Sequence, residues 1–353
     1  MSESKFVGYV GTYTHENSIG IHIYDMDIDH GKMYERKVVP INNPSYLAFS
    51  TNRKYLYSIA DEGVKGFRIL PDGDLEEINS MWIGGMRGCY IEIDKNDEYL
   101  YVAGYHDGRV SMMKLNPETG EIVALCDGVF HKGMGRCIAQ RSSRPHVNCV
   151  RLTPEGDYLM AADGGLDHIK IYKIDKRLGK LRNHDILRTQ LDSAPKSLRF
   201  SADGKFLYVL CELLNCVNVY RYEMTDDGPE FEFLQEITTT DPKDDDICSA
   251  VAMDIAPSGT HLFVVNAGVN SAVIYNIDKE TGLLTLMCNS RISGEFPKGV
   301  RVMPNEEHFV TLNHENNEIV MFKINYEKGY FLLESKPVPV DKPNCMKVHT
   351  IQG

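Results

Sequence analysis

One short segment returns six times along this 353-residue chain. Each copy has a turn of Asn, Asp, Gly or Pro residues, followed by an aromatic or imidazole residue that opens an apolar, alternating stretch. These six anchor residues are Tyr55, Tyr99, Tyr158, Phe206, His261 and His308, with spacings of 44, 59, 48, 55 and 47 residues. A period of this length is typical of the four-stranded blade of a β-propeller. The repeat therefore predicts an all-β chain.

The fourth repeat illustrates the strands that each copy contains. Residues 196–200, 206–210, 216–222 and 230–234 alternate between apolar and polar side chains or are rich in aromatic and β-branched residues. Period-two alternation of this kind indicates β-strands. We find no convincing helical stretch, and the six repeats account for the chain from about residue 44 to residue 333.

The two ends of the chain complement each other. Residues 6–13, 20–24 and 33–38 are typical of the second, third and fourth strands of a blade, whereas residues 343–348 are typical of a first strand. Together they predict a blade shared by both ends, which closes a propeller ring and leaves no long open sheet edge. We therefore expect a single seven-bladed domain over residues 1–353, its last blade built from about 1–40 plus 342–350.

Charge and cysteine content narrow the classes of function. Fifty acidic residues against 38 basic ones give a formal net charge of −12, which argues against nucleic acid or an anionic membrane as partner. No segment approaches the ~20 apolar residues of a membrane span. The nine cysteines contain no CxxC pair, and an odd number suits a disulfide framework poorly, so we expect a reducing cytoplasm.

The repeat also makes equivalent positions in different blades comparable. Counting six residues back from the turn before each anchor gives one set: Ser45, Cys89, Asn148, Lys196, Val251 and Lys298, with Asn344 in the closing strand. The positions where the anchor strands end give a second set: Thr14, Asp61, Tyr105, Asp163, Glu212, Ala267 and His314. Ligand sites of propellers commonly lie at one mouth of the central channel, so both sets are candidates for that mouth.

Several segments carry a resemblance to a known family. Residues 9–13 (YVGTY), 194–200 (APKSLRF), 207–213 (LYVLCEL) and 298–299 (KG) resemble the seven-bladed lactonase propellers, which include bacterial 6-phosphogluconolactonases and fungal carboxymuconate lactonising enzymes. The resemblance covers nearly the whole chain. It places Glu212 at the family's glutamate, and Lys196 and Lys298 at its two arginines. Asn148 stands at the position of its histidine, and His146 lies two residues earlier.

These positions suggest a role for each residue. Lys196 and Lys298 would hold an anionic substrate group, and Asn148 and His314, the latter from the second set of positions, are further candidates for substrate binding. Glu212 would act as base or activate water, and His146 or His314 would be its partner in proton transfer. A lysine keeps the charge of an arginine but lacks the rigid fork that makes two bonds to a carboxylate or phosphate.

No cofactor and no metal are expected. Asp244, Asp245 and Asp246 form the most acidic loop, but three adjacent carboxylates cannot all converge on one cation. We interpret this loop as solvated.

Three functions remain open at this point. The first is a metal-independent hydrolase of a small anionic sugar lactone such as 6-phosphogluconolactone. The second is a cycloisomerase that forms or opens a lactone on a muconate-like dicarboxylate. The third is a non-catalytic propeller that binds a ligand or a protein on its faces. The expected partner is a small anionic substrate, and a homo-oligomer is compatible with the sequence.

Overall fold

A computed structural model describes residues 5–135, 144–241, 243 and 247–351. Within these ranges the chain forms only β-strands and connecting turns, in seven antiparallel sheets. No helix in the described chain is long and apolar enough to cross a membrane. Asp244, Asp245 and Asp246, for which the sequence predicts a solvated acidic loop, lie outside the described residues.

The first half of the chain holds the opening strands and three blades. The opening strands are β1 (Lys5–Thr12), β2 (Gly20–Asp27) and β3 (Lys32–Pro40). Blade 1 has β4 (Leu47–Phe49), β5 (Tyr55–Ala60), β6 (Gly63–Ile69) and β7 (Leu75–Met81). Blade 2 has β8 (Tyr90–Ile93), β9 (Tyr99–Gly104), β10 (Arg109–Leu115) and β11 (Ile122–Phe130). Blade 3 has β12 (Val147–Leu152), β13 (Tyr158–Asp163), β14 (His168–Asp175) and β15 (Lys180–Arg188).

The second half repeats the pattern. Blade 4 has β16 (Pro195–Phe200), β17 (Phe206–Cys211), β18 (Cys216–Thr225) and β19 (Gly228–Thr238). Blade 5 has β20 (Ser249–Ile255), β21 (His261–Ala267), β22 (Ser271–Ile277) and β23 (Leu284–Arg291). Blade 6 has β24 (Pro297–Val302), β25 (His308–Asn313), β26 (Glu318–Asn325), β27 (Tyr330–Leu333) and the short β28 (Val338–Pro339) beside β26. The last strand is β29 (Pro343–Ile351).

The predicted anchors mark the same place in every blade. Each of the six is the first residue of the second strand in its blade, and five of them are buried. The turn before each anchor reverses the chain between the first and second strands, which pair antiparallel. The repeat seen in the sequence is therefore the inner hairpin of a blade.

Both ends of the chain share blade 7, as predicted. Its strands lie in the order β29-β1-β2-β3, and β29 pairs with β1 from Lys5 opposite Ile351 to Thr12 opposite Pro343. The C-terminal strand thus supplies the innermost position of a sheet whose other three strands come from the N-terminus. The sequence prediction of a seven-bladed propeller closed in this way is confirmed.

The core lies between neighbouring blades and continues around the ring. Apolar clusters join blade 7 to blade 1, blade 1 to blade 2, blades 2, 3 and 4 to one another, blade 4 to 5, blade 5 to 6, and blade 6 back to 7. In the contact between blades 5 and 6, for example, the rings of Phe263 and Phe309 lie 5.4 Å apart. The second strand of each blade is therefore buried on both faces, the outer strand is largely exposed, and the first strand lines the channel.

Candidate active site

A β-bulge recurs in the first strands of five blades. The pairing with the second strand skips one residue at Asn148, Lys196, Val251, Lys298 and Asn344. A bulged residue is left out of the ladder, and the strand bends at that point, which redirects the side chain. All five residues line one cavity. The bulge is the physical reason why these positions, compared across blades in the sequence, are structurally equivalent.

This cavity follows the central channel and has a volume of about 1080 Å³. We call the end where the first strands begin the upper mouth, and the end towards which they run the lower end. Side chains at the upper mouth are largely polar or aromatic: Tyr13, Arg87, Tyr105, His106, Asn148, Lys196, Glu212, Phe296, Lys298 and Glu315. Four of the six site residues predicted from the sequence are in this group, namely Asn148, Lys196, Glu212 and Lys298.

Lys196 and Glu212 form an ion pair in the wall of the cavity. The Nζ atom of Lys196 lies 2.8 Å from Oε1 of Glu212, and the glutamate residue is 9% exposed. Glu212 directly follows β17, and its backbone N–H donates to the carbonyl of Ala194 before β16. Its own carbonyl accepts a bond from Ala250 of blade 5. The carboxylate is therefore held between two blades, with its position set by backbone pairing.

Lys298 reaches the same cavity from blade 6. Its Nζ atom lies 5.2 Å from the ring centre of Tyr13 and 5.8 Å from that of Phe296, within the range of cation–π attraction. Asn148 lies on the opposite arc of the ring, and its side-chain amide approaches the carbonyl of Pro195 at 3.5 Å. The two lysines are thus on non-adjacent blades and face one shared space.

His146 is not among the described residues that line the cavity. It is 3% exposed, its Nδ1 lies 2.8 Å from the carbonyl oxygen of Tyr105, and its ring stacks on the Tyr105 ring with centres 4.3 Å apart. Tyr105 does line the cavity. The structure therefore places His146 one layer behind the wall, in contact with a wall residue.

His314 is likewise not among the described lining residues. It is 7% exposed, and its ring meets the edge of Tyr13 at 5.7 Å. Burial lowers the pKa of His314 to about 4, and the charges of Lys298 and Lys342 act in the same direction. A neutral imidazole is consequently packed against Tyr13, the ring that also receives Lys298.

Two polar wall residues, Arg87 and His106, were missed by the sequence prediction. Arg87 precedes β8, donates to Asp61 at 2.9 Å and lies over the Tyr13 ring at 5.3 Å. His106 follows β9, and burial lowers its pKa, with the charge of Arg87 adding to this effect. Both lie in loops between strands, where counting from the turn before the anchor no longer gives equivalent positions in different blades. In the sequence, only their nearness to the two compared sets of positions marks these residues. Arg87 is two residues before Cys89, and His106 directly follows Tyr105.

Cys89 also lines the cavity but is not a reactive thiol. Burial raises the pKa of Cys89 to about 12, and its Sγ lies 3.3 Å from the carbonyl oxygen of Val147. A thiol that keeps its proton at neutral pH is a poor nucleophile. Nucleophilic attack by this cysteine is therefore not part of the chemistry that the cavity supports.

One group of described residues has the side chains and spacing of a metal site. The ligand atoms of His131, Asp163 and His168 lie within 4.8 Å of one another, and all three residues are buried. The Asp163 carboxylate already accepts a bond from His131 Nδ1 at 2.7 Å and from the backbone N–H groups of His146 and Gly165. Burial alone would raise the pKa of Asp163, but the bond from His131 lowers it. His131 and Asp163 therefore form a hydrogen-bond network that ties β13 to the segment carrying His146, whereas Nε2 of His168 bonds to no residue in the described ranges.

The upper mouth combines the elements that ester or lactone opening requires. A carboxylate can accept a proton from water, and ammonium groups can hold an anion or stabilise negative charge that develops on a carbonyl oxygen. Glu212 supplies the first of these groups, and Lys196 and Lys298 supply the second.

Comparison with known proteins points to the same chemistry. The chain matches the sequence profile of the family described as lactonase, 7-bladed beta-propeller, over residues 7–348. It is 28% identical over 351 residues to a 6-phosphogluconolactonase of Bacillus subtilis, covering 98% of each protein. It is 30% identical over 335 residues to a 6-phosphogluconolactonase of Formosa agariphila, covering 91% of this chain and 93% of the relative.

Solved structures agree. A Bacteroides fragilis protein provisionally named a 6-phosphogluconolactonase superposes with a TM-score of 0.89 and 26% identity over 99% of both chains. A periplasmic gluconolactonase of Pseudomonas aeruginosa superposes with a TM-score of 0.93 over 99% of this chain and 100% of its own. Its identity of 24% supports the fold alone. Because the family profile spans almost the whole chain, the protein belongs to the seven-bladed β-propeller lactonases.

Proposed function

We propose that this protein hydrolyses a small anionic sugar lactone, with 6-phosphogluconolactone as the leading substrate. The observation that carries the proposal is the ion pair of Lys196 and Glu212 at 2.8 Å in the cavity wall, with Lys298 facing the same space. The names of the Bacillus subtilis and Formosa agariphila relatives support this choice of substrate.

In this proposal Glu212 activates water. Its carboxylate accepts a proton as the water oxygen bonds to the lactone carbonyl carbon, and Lys196 stabilises the negative charge that appears on the carbonyl oxygen. When the bond from that carbon to the ring oxygen breaks, the proton held by Glu212 passes to the ring oxygen, which becomes a hydroxyl group. One water is consumed, and the product is the open hydroxy acid.

Lys298 has a binding role in this scheme. It lies on a different blade from Lys196, so it can hold a remote anionic group while the lactone ring sits beside Glu212. Orientation of this kind is a large part of catalytic rate enhancement. We assign Asn148 and His106 to contacts with the sugar hydroxyl groups, because both line the cavity near the lysines. His146 and His314 act indirectly, through Tyr105 and Tyr13.

The proposal includes independence from metal. The lysine charges supply the electrostatic stabilisation that a metal ion would otherwise provide. Activity should therefore survive treatment with EDTA followed by gel filtration. Loss of activity on chelation and recovery with Zn²⁺ would contradict this part and direct attention to His131, Asp163 and His168.

The proposal is tested by measuring lactone loss against the spontaneous rate. Purified protein should accelerate the opening of 6-phosphogluconolactone, and it should favour this substrate over unphosphorylated gluconolactone. No acceleration of either lactone would overturn the proposal. Loss of the diene absorbance of a muconate would instead favour the cycloisomerase that the sequence leaves open.

We also propose the cytoplasm as the compartment. No disulfide joins any two of the eight cysteines in the described part of the chain, which suits a reducing environment. The Pseudomonas aeruginosa neighbour is named as periplasmic, so the compartment has to be measured for this protein itself. Fractionation that recovers the activity with cytoplasmic markers would support the proposal, and recovery with periplasmic markers would contradict it.

A further inference from the structure

A second ring of seven residues, six of them charged, lies three residues past the first set of compared positions on the first strands. Its members, in blade order, are Ala48, Glu92, Arg151, Arg199, Asp254, Arg301 and Lys347. At about 3.3 Å per residue this level is roughly 10 Å below the upper lysines. Four cations stand against two carboxylates, which leaves a formal charge of +2 in a chain whose net charge is −12. We call this set the lower ring.

Both carboxylates of the lower ring are already paired. Arg151 Nη1 lies 3.1 Å from Glu92 Oε2, and Arg301 Nη1 lies 3.3 Å from Asp254 Oδ2. Arg199 and Lys347 form no ion pair with any residue in the described ranges. The excess positive charge of the ring is therefore concentrated on these two side chains, and both line the central cavity.

Tyrosines connect the two unpaired cations. Arg199 Nη1 donates to the hydroxyl of Tyr90 at 3.2 Å, and Lys347 Nζ lies 5.0 Å from the ring centre of Tyr46. The two tyrosine rings are 4.2 Å apart, and both line the cavity. Burial raises the pKa of Tyr90 to about 12 and also raises the pKa of Tyr46, so both hydroxyls keep their protons. The two hydroxyls bond to each other, so one of the two protons remains available to an anion.

The cations of the lower ring repel one another. Burial lowers the pKa of Lys347 to about 8; Arg301 and Arg199 add to this shift, while Cys345 and Asp254 oppose it. A bound anion would relieve both the repulsion and the loss of solvation. The lower ring therefore has an excess of positive charge, and no carboxylate in the described ranges pairs with Arg199 or Lys347.

The lower face of the propeller offers a route to this ring. A second cavity of about 850 Å³ is lined by Arg53, Lys54 and His349, and Arg301 lines both this cavity and the central one. Burial lowers the pKa of His349, so Arg53, Lys54 and Arg301 carry the positive charge of this route. Cations leading to a pocket raise the local concentration of anions and speed their entry. An anion can therefore approach the lower ring without passing the upper mouth.

We propose that the lower ring is a second anion-binding site, separate from the lactone site, that takes a phosphate-type dianion. A dianion matches the formal charge of +2. Nη1 of Arg199 already donates to the carbonyl of Leu198 at 2.8 Å, but its Nε and Nη2 groups bond to no residue in the described ranges and offer paired N–H donors that fit two phosphate oxygens. Lys347 and one tyrosine hydroxyl complete the donor set. The dianion is either free inorganic phosphate or the phosphate group of a phosphorylated sugar acid. This proposal does not depend on the proposed function.

Calorimetric titration tests the site with inorganic phosphate and with 6-phosphogluconate as separate probes. Lys347→Met and Arg199→Gln should each weaken binding of at least one probe by tenfold or more. Lys298→Met, in the upper mouth, should change the affinity for inorganic phosphate less than twofold, and Lys347→Arg should retain it. 6-Phosphogluconate, the product of the proposed reaction, would also bind at the upper mouth, so only the part of its affinity that Lys347→Met removes reports on the lower ring. The probe whose affinity Lys347→Met lowers more identifies the source of the dianion. Thermal melts of each variant check that it is folded.

A pH series gives a second readout. Phosphate affinity should fall as the pH rises above about 8, because Lys347 then loses its proton, and the fall should be absent in Lys347→Arg. No measurable binding of either probe would overturn the proposal. Binding that Lys298→Met abolishes while Lys347→Met leaves it intact would assign the anion to the upper mouth and overturn it as well.

Discussion

At the scale of single residues, the contact between Lys196 and Glu212 is the centre of the candidate active site. The pair is partly buried, so each charge depends on the other more than it would at the surface. In the proposed mechanism, a lysine at this place keeps the carboxylate that activates water beside the carbonyl oxygen that must become negative. Water activation and charge stabilisation would then be joined in one contact.

Replacing this lysine should therefore impair catalysis more than folding. We expect Lys196→Met to lower kcat/KM for the lactone by about 10² or more, because one group that stabilises the oxyanion is lost. Lys205→Met is a matched control, since Lys205 is an exposed lysine in the turn between β16 and β17 of the same blade and pairs with Asp203 at 3.4 Å. Equal kinetics for the two variants would remove Lys196 from the site.

His314 should make stability dependent on pH. Its pKa of about 4 in the folded protein lies below the ordinary value of 6.5, so between these values the unfolded chain binds the proton more strongly. Stability is then lost as the pH falls from about 6.5 to 4, by an amount on the order of 1–3 kcal/mol for this residue.

Urea unfolding at several pH values would measure this effect. The decline in the midpoint between pH 6.5 and 4 should be shallower in His314→Asn than in the wild type. His30→Asn is the control, because His30 is exposed at a turn. A decline of unchanged steepness in His314→Asn would mean that other groups account for the acid sensitivity.

Residue-level prediction from the sequence succeeded where the blade register applies. Lys196, Lys298 and Asn148 were found because bulged positions are equivalent from blade to blade, so counting from the turn reaches the cavity wall. Arg87 and His106 lie in loops of unequal length, where no count is transferable. The lower ring lies three residues further along the same strands, so the same count from the turn reaches it.

At the scale of elements, the inner strands were predicted better than the outer ones. The second strand of each blade begins at its anchor, because a sharp turn and an apolar run coincide there. The fourth strand of blade 4 extends over Gly228–Thr238, beyond the predicted residues 230–234. The outer strands face solvent, so apolar and polar residues alternate less regularly along them. Their ends are therefore hard to locate from the sequence.

The junction between blade 7 and blade 1 should tolerate no added side chain at Gly11. A Cβ atom there would lie 2.1 Å from the carbonyl oxygen of Pro44, a backbone atom that cannot move away cheaply. We expect Gly11→Ala to destabilise the protein by about 2 kcal/mol or more. Urea unfolding measures the change.

Gly156→Ala serves as the comparison. Gly156 has a φ of 86°, but an added Cβ would meet nothing within 4 Å. Its cost should be about 1 kcal/mol, from backbone conformation alone. If Gly11→Ala costs no more than Gly156→Ala, the close approach of the two blades is looser than the structure indicates.

At the scale of the whole molecule, closure of the ring depends on a single strand. β29 is the innermost strand of blade 7 and pairs with β1 along its full length. Without it, β1 would present an open edge, and the apolar contact between blades 6 and 7 would lose Met346 and Val348. Each blade packs against the blade on either side. If the ring opened, the two blades at the opening would each expose one packing face to solvent.

A chain that ends at Asp341 should therefore fail to fold. We expect it to lose the cooperative thermal transition and to aggregate or elute as an expanded species. A chain that ends at Ile351, which omits only the last two residues, should behave as the full-length protein. A folded, monodisperse product from the shorter chain would contradict the view that β29 holds the ring closed.

The most direct test of the central claim is kcat/KM for 6-phosphogluconolactone in the wild type and in Glu212→Gln, at one pH and corrected for spontaneous opening. Glu236→Gln, an exposed glutamate on the outer strand of the same blade, is the matched control. The proposed mechanism predicts a loss of about 10²–10⁴ in Glu212→Gln and no change in the control. A wild type no faster than the spontaneous reaction, or equal rates in Glu212→Gln and the wild type, would contradict the claim that this carboxylate opens a lactone.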